Sequence, residues 1–210
     1  MEQTAEQLQL STNTPPPPEQ ALQVQQDTSL ETFGNSDQFN HAQRLAKAMS
    51  AANIIPEQYR NNIPNCLIAL EMANRIGISP IMVMQNLYIV KGKPSWSGSF
   101  IIALLNSCGR FSPIRFDMKG EGDKLTCRAI ANDLKSGDQL KGTLITMQMV
   151  SAEGWGAKWK TMPEQMMQYR SAAFFGRVYA PDIIMGMQTI EEVEDVTNVP
   201  TFSMRPKPQE

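Results

Sequence analysis

Histidine is almost missing from this 210-residue chain, cysteine is rare, and Phe, Trp and Tyr together make up only 7% of it. His41 is the single histidine, so a His-based catalytic triad or a His-rich metal site is excluded by inventory. Its polar neighbours in a periodic segment mark it as a solvated helix residue. The three cysteines, Cys66, Cys108 and Cys127, are odd in number, widely spaced and without CxxC spacing. They are expected to be reduced core thiols with no disulfide or metal role. Neither GxxxxGK[ST] nor GxGxxG occurs; Gly120-Glu-Gly122 and Gly154-Trp-Gly156 lack the rest of either pattern, so no nucleotide-hydrolysis engine is visible. No apolar run reaches 18 residues and no basic-then-apolar leader stands at the start, which predicts a soluble, cytosolic protein. No cofactor is expected, and no covalent catalytic site.

The net charge of −2 conceals a segregation. Residues 1–35 carry five acids and no Lys or Arg, whereas residues 36–188 carry 17 basic and 11 acidic side chains, a local excess of +6. A basic middle with acidic ends is compatible with a protein that contacts a nucleic-acid backbone, and equally with ordinary solvated surface charge. The acidic N-terminal segment is a candidate occupant of that basic middle. Glu191-Glu192, near the C-terminus, read as part of a solvated charged face.

Residues 1–35 are rich in Gln, Thr, Ser and Glu, include Pro15 to Pro18, lack apolar periodicity, and are expected to be disordered. Helical spacing then starts from Asn35 or Ser36 as cap and stops before Asn53. A second helix runs from Pro64 to Gly77, and a short third covers Met82 to Asn86. Leu87-Tyr-Ile-Val90 and Pro94 to Trp96, joined through Lys91-Gly92-Lys93, predict a small basic hairpin. Ser97 or Ser99 caps an apolar helix that stops at Cys108. Phe111 to Asp117, Lys124 to Ala131 and Leu140 to Ile145 predict a three-stranded antiparallel meander, and Thr146 caps a short helix. The fold class is therefore α+β: helices plus the hairpin and the meander, packed on a long central helix. The core domain is expected over residues 36–195, with residues 196–210 as a flexible tail.

The central helix follows a loop over residues 154–160. Thr161 and Glu164 have capping-box spacing, Pro163 stands in the first turn and Pro181 closes it. Apolar side chains point in every direction around it, which marks it as buried. Arg170 and Arg177, seven residues apart, share one stripe with no acidic partner one turn away. A guanidinium leaving water needs an anion. Either carboxylates from elsewhere in the fold meet the pair, or the stripe lines a groove for an external anion such as a nucleic-acid strand. Basic residues also alternate with aromatics at turns, Lys91 and Lys93 with Trp96, and Lys158 and Lys160 around Trp159. Lysine supplies phosphate contacts and an indole offers a stacking face. Trp96 and Trp155 read equally as packing residues.

The run Asn65-Cys-Leu-Ile-Ala-Leu-Glu-Met-Ala-Asn-Arg-Ile-Gly77-Ile-Ser-Pro80, then Asn86-Leu-Tyr88, the Trp96-Ser-Gly helix start, the Cys127-Arg128 strand, Trp159 to Pro163, and Arg170 with Arg177 together resemble the RecT/Redβ superfamily of phage single-strand annealing proteins. The likeness covers residues 36 to about 195. It implies a Redβ/RecT-like annealing core that binds single-stranded DNA without ATP, oligomerises into rings or helical filaments, pairs complementary strands and holds the annealed duplex. It further implies phage-type recombination in a bacterial host cytosol, with a phage exonuclease or a host single-strand-binding protein as further partners and no membrane. On this resemblance the DNA contacts are Arg170, Arg177, Lys158, Trp159, Lys160, Lys91, Lys93 and Arg128. Alanine at Arg170 or Arg177 is then expected to weaken strand binding with the fold intact. The alternatives that the residues leave open are a protective single-strand binder without annealing activity, a small-molecule enzyme and an oligomeric structural protein.

Overall fold

Short polar side chains set most of the helix starts. Asn35 accepts the backbone N–H of Gln38 at 2.9 Å and opens α1 (Ser36–Ser50); Asn62 does the same for Asn65 at 3.1 Å and opens α2 (Ile63–Ile76). In each case one of the orphan donors of the first turn is satisfied. The chain turns through Gly77 into α3 (Pro80–Asn86), and β1 (Leu87–Val90) pairs antiparallel with β2 (Lys93–Trp96) as the expected hairpin. Ser97, rather than Ser99, caps α4 (Gly98–Ser107) by accepting from Phe100 at 3.2 Å. The computed structural model describes residues 34–90 and 92–197; the segment expected to be disordered lies outside them up to residue 33, as do Lys91 and the tail from residue 198.

The expected meander is there, with its third strand broken. β3 (Arg115–Lys119) pairs antiparallel with β4 (Thr126–Asn132), and the far edge of β4 takes first β5 (Gln139–Lys141) and then β6 (Ile145–Thr146). Ile130 lies opposite Lys141 and Cys127 opposite Ile145, so three steps on β4 face four on its neighbour. One residue is extra, a bulge over residues 142–144. Gly142 lies in it, its N–H bonded to Ala129 O at 2.8 Å. A side chain there would reach within 3.3 Å of Phe175 Cβ, so glycine lets the sheet and the helix behind it close up.

Thr146 caps α5 (Met147–Ala152), accepting from Met149 at 3.2 Å. Where a loop was expected, residues 158–161 already turn as α6 (Lys158–Thr161), and α7 (Pro163–Tyr179) follows. Thr161 therefore closes α6, its hydroxyl bonded back to Lys158 O at 3.4 Å, and does not cap α7. A capping residue needs non-helical backbone, which the preceding turn denies it. Pro163 holds the first-turn position as expected.

α7 is the middle layer. The inner-face residues Cys127, Ala129 and Ala131 of β4 are buried against one side of it, and α4 packs on another, which is why its apolar residues point all round. Phe175 anchors the larger core, edge-on to Phe111 at 5.4 Å, together with α1 to α4. Trp159, Met166 and Met167 centre a second cluster under α5 and the sheet. After α7 the chain returns through residues 180–189 to α8 (Ile190–Thr197). Among the described residues no single helix is long and apolar enough to cross a membrane.

Candidate nucleic-acid interface

The two arginines of α7 meet carboxylates from α8. Arg170, 6% exposed, pairs through Nη2 with Asp195, and its Nε stands 3.8 Å from Glu192. Arg177 takes Glu192 in a two-pronged pair, one arm at 2.9 Å. Of the two alternatives open in the sequence, the internal carboxylate is the one realised. Arg170 is also enclosed by rings, its guanidinium carbon 3.9 Å from the Trp155 ring centre and 5.6 Å from that of Trp159. Burial pulls this guanidinium below its ordinary pKa, while Glu192 and Asp195 pull it back up.

α8 docks through all four acids it carries. Asp195 accepts three hydrogen bonds, from Arg170, from Gly156 N–H at 2.9 Å and from Trp159 Nε1 at 2.9 Å. Glu192 accepts from Thr189 N–H at 2.8 Å as well as from Arg177. Glu194 holds Lys158 at 2.6 Å, which raises the lysine's pKa. Glu191 accepts from the Gly98 N–H at the start of α4 at 3.1 Å. The reading of Glu191-Glu192 as a solvated face is thus corrected: Glu192 and Asp195 are each 3% exposed. Counted with these four acids, the folded body has 17 basic and 15 acidic residues, and the +6 excess falls to +2.

Glu191 gives a test of this docking. Burial raises its carboxyl pKa, so the folded state holds the proton more tightly than the unfolded chain, and stability is lost as pH rises through the folded value. Glu191→Gln keeps an acceptor for Gly98 and removes the charge. The variant is expected to match the wild type near pH 4 and to be at least as stable at pH 7, giving a flatter stability profile in urea titrations across that range. A variant less stable at pH 7 would mean that the charge itself is needed at the α4 terminus.

The other predicted contacts divide. Trp159 is 1% exposed and Trp96 is fully buried, its Nε1 donating to Ile184 O at 3.1 Å, so neither presents a ring for stacking. Lys158 is engaged with Glu194. Lys91 lies outside the described residues. Lys93 and Lys160 are exposed, and neither has an acidic partner among the described residues. Arg128 is half-buried on β4, and its Nε is buried with no acceptor among the described residues.

Among the described residues two cationic surfaces are left for the predicted contacts. On the hairpin, Tyr88 faces Ser95 and Val90 faces Lys93, so Tyr88, Val90 and Lys93 share one face of the ribbon. Tyr88 is 40% exposed and Ile89, on the opposite face, 51%. The aromatic partner of the hairpin lysine is therefore Tyr88 and not Trp96. Register gives the reason: with Tyr88 opposite Ser95 and Val90 opposite Lys93, Tyr88 lies diagonally across from Lys93. The second surface is the side of the sheet turned away from α7, where Arg115, Ile130 and Lys141 form one rung and Asp117 and Arg128 the next. Lys119 and Thr126 form a third, Lys119 lying 3.3 Å from Asp117.

Among the described residues no group of three His, Cys, Asp or Glu side chains is placed to hold a metal ion. Comparisons with protein-family models, with curated proteins and with solved structures give no match to this chain.

Proposed function

We propose that this chain binds single-stranded DNA without ATP and anneals complementary strands as an oligomer, in recombination of the phage type. The observation that carries the reading is the hairpin face, where an exposed tyrosine ring lies beside a lysine with no acidic partner among the described residues. A ring that stacks on any base, next to an ammonium that neutralises a phosphate, is the minimum a sequence-tolerant strand binder needs. The order of sequence motifs, which resembles that of single-strand annealing proteins, supports the same reading. Annealing then requires little chemistry. Neutralised phosphates repel less, and bases held along one strand are sampled by another.

The test is the pairing rate of two complementary labelled oligonucleotides without ATP, for the wild type and for the double variant Tyr88→Ala, Lys93→Ala. Stacking contributes about 1–3 kcal/mol per base, so the variant is expected to bind strands roughly 10- to 100-fold more weakly and to lose the acceleration. Tight strand binding by the wild type without acceleration would identify a protective binder, and absence of strand binding would overturn the reading.

A further inference from the structure

We infer that the face of the sheet turned away from α7 is a second nucleic-acid surface, and that it grips the phosphates of a duplex. The inference rests on the strand-binding reading above and adds to it the place where paired strands are held. Four cations, Arg115, Lys119, Arg128 and Lys141, stand on this face against one acid, Asp117. Asp117 is engaged with Lys119 at 3.3 Å, and among the described residues no carboxylate is in ion-pair distance of Arg115, Lys141 or Arg128, which Asp117 faces across the strands. Arg115, Lys119 and Lys141 are exposed and no other described helix packs on β4 as α7 does, so the face is open among the described residues.

Its geometry separates it from the hairpin in two ways. The outward residues of its three rungs include no aromatic, so the face offers an unpaired base no ring platform of the kind Tyr88 gives the hairpin, and suits a nucleic acid whose bases are turned inward on each other. The cations also form an area rather than a line. Arg115 and Lys141 lie two strands apart, about 10 Å, and successive outward residues on one strand lie about 7 Å apart. A single backbone follows a line and leaves part of such an array unused. The two phosphate walls of a duplex groove, roughly 6 to 12 Å across, can meet both sides of it at once. Ile130, between the flanking cations, keeps the middle of the rung free of charge.

The experiment uses the full chain and the double variant Arg115→Gln, Lys141→Gln, with thermal unfolding to verify that the variant is folded. Fluorescence anisotropy measures binding of a 30-base-pair duplex and of a 30-nucleotide single strand over a range of salt concentrations. Each lost phosphate contact lowers the slope of log affinity against log salt by about 0.9, so the duplex slope is expected to fall by roughly 1.8. Duplex affinity should fall at least tenfold at low salt while single-strand binding stays within twofold. A duplex slope unchanged in the variant, or a wild type that binds strands but no duplex, would overturn the inference and leave the strand-binding reading standing. Equal losses for both ligands would overturn the duplex assignment and make the face a general strand surface. A wild type that binds neither ligand removes both readings together.

Discussion

Arg170→Ala is expected to lower folding stability by about 3–5 kcal/mol, the usual consequence of removing one partner from a buried ion pair. The loss leaves Asp195 without a cation and Glu192 with Arg177 alone, and both acids are buried, 3% exposed in the wild type. It also removes the cation that lies over the Trp155 ring. For a chain of this size each kcal/mol shifts the midpoint by about 2–4 °C, so thermal unfolding followed by circular dichroism should show a drop of roughly 6–20 °C. The sequence-based expectation for this variant, weaker strand binding on an intact fold, is the outcome that would refute the structural role. Arg177→Ala should do less, because that side chain is 28% exposed and its place can be taken by water.

Trp159→Ala is expected to cost a similar amount, about 3–5 kcal/mol, through the cavity left under α5 and the sheet. The residue is 1% exposed and packs with Met166, Met167 and Ile145. Trp159→Phe separates packing from polarity: it keeps most of the ring and removes the N–H that Asp195 accepts at 2.9 Å. It should cost about 1–2 kcal/mol, the net contribution of a hydrogen bond to a charged acceptor plus some lost volume. Because Trp159 and Arg170 share Asp195, their double variant should deviate from additivity by about 0.5–3 kcal/mol. Urea denaturation of the two singles and the double measures this. Strict additivity would mean that the two side chains do not act through one carboxylate.

Local chemistry was readable wherever a single side chain decides the backbone. Asn35, Pro64, Ser97 and Thr146 all stand at helix starts, and the two arms of the hairpin pair as expected, with Lys93 in the strand rather than in the turn. The burial of α7 followed from its all-round apolar pattern. The bulge at residues 142–144 could not be read, because it depends on how closely α7 approaches Ala129 and Gly142. Nor could Thr161 be placed, since its spacing to Glu164 is that of a cap whether or not a preceding turn already occupies it.

The role of α8 was hidden for a physical reason. Four acids in a short amphipathic helix are what a solvated surface looks like, and only the fold brings them to donors as distant in the chain as Gly98, Gly156 and Arg170. The signal that existed was the mismatch within α7, two cations in a helix otherwise built for burial. The carboxylates that answer it, Glu192 and Asp195, lie 15 and 25 residues downstream of Arg177 and Arg170, beyond the reach of helical spacing.

During synthesis the ribosome completes α7 before Glu192 and Asp195 exist. A nascent chain that has reached Pro181 therefore holds a core helix with two guanidiniums and no countercharge, and cannot bury it at low cost until α8 emerges. Packing of the helix against the sheet and the arrival of the last helix are thus coupled in time. The body is completed from its C-terminal end, and α7 stays hydrated until the acids that neutralise it have been made.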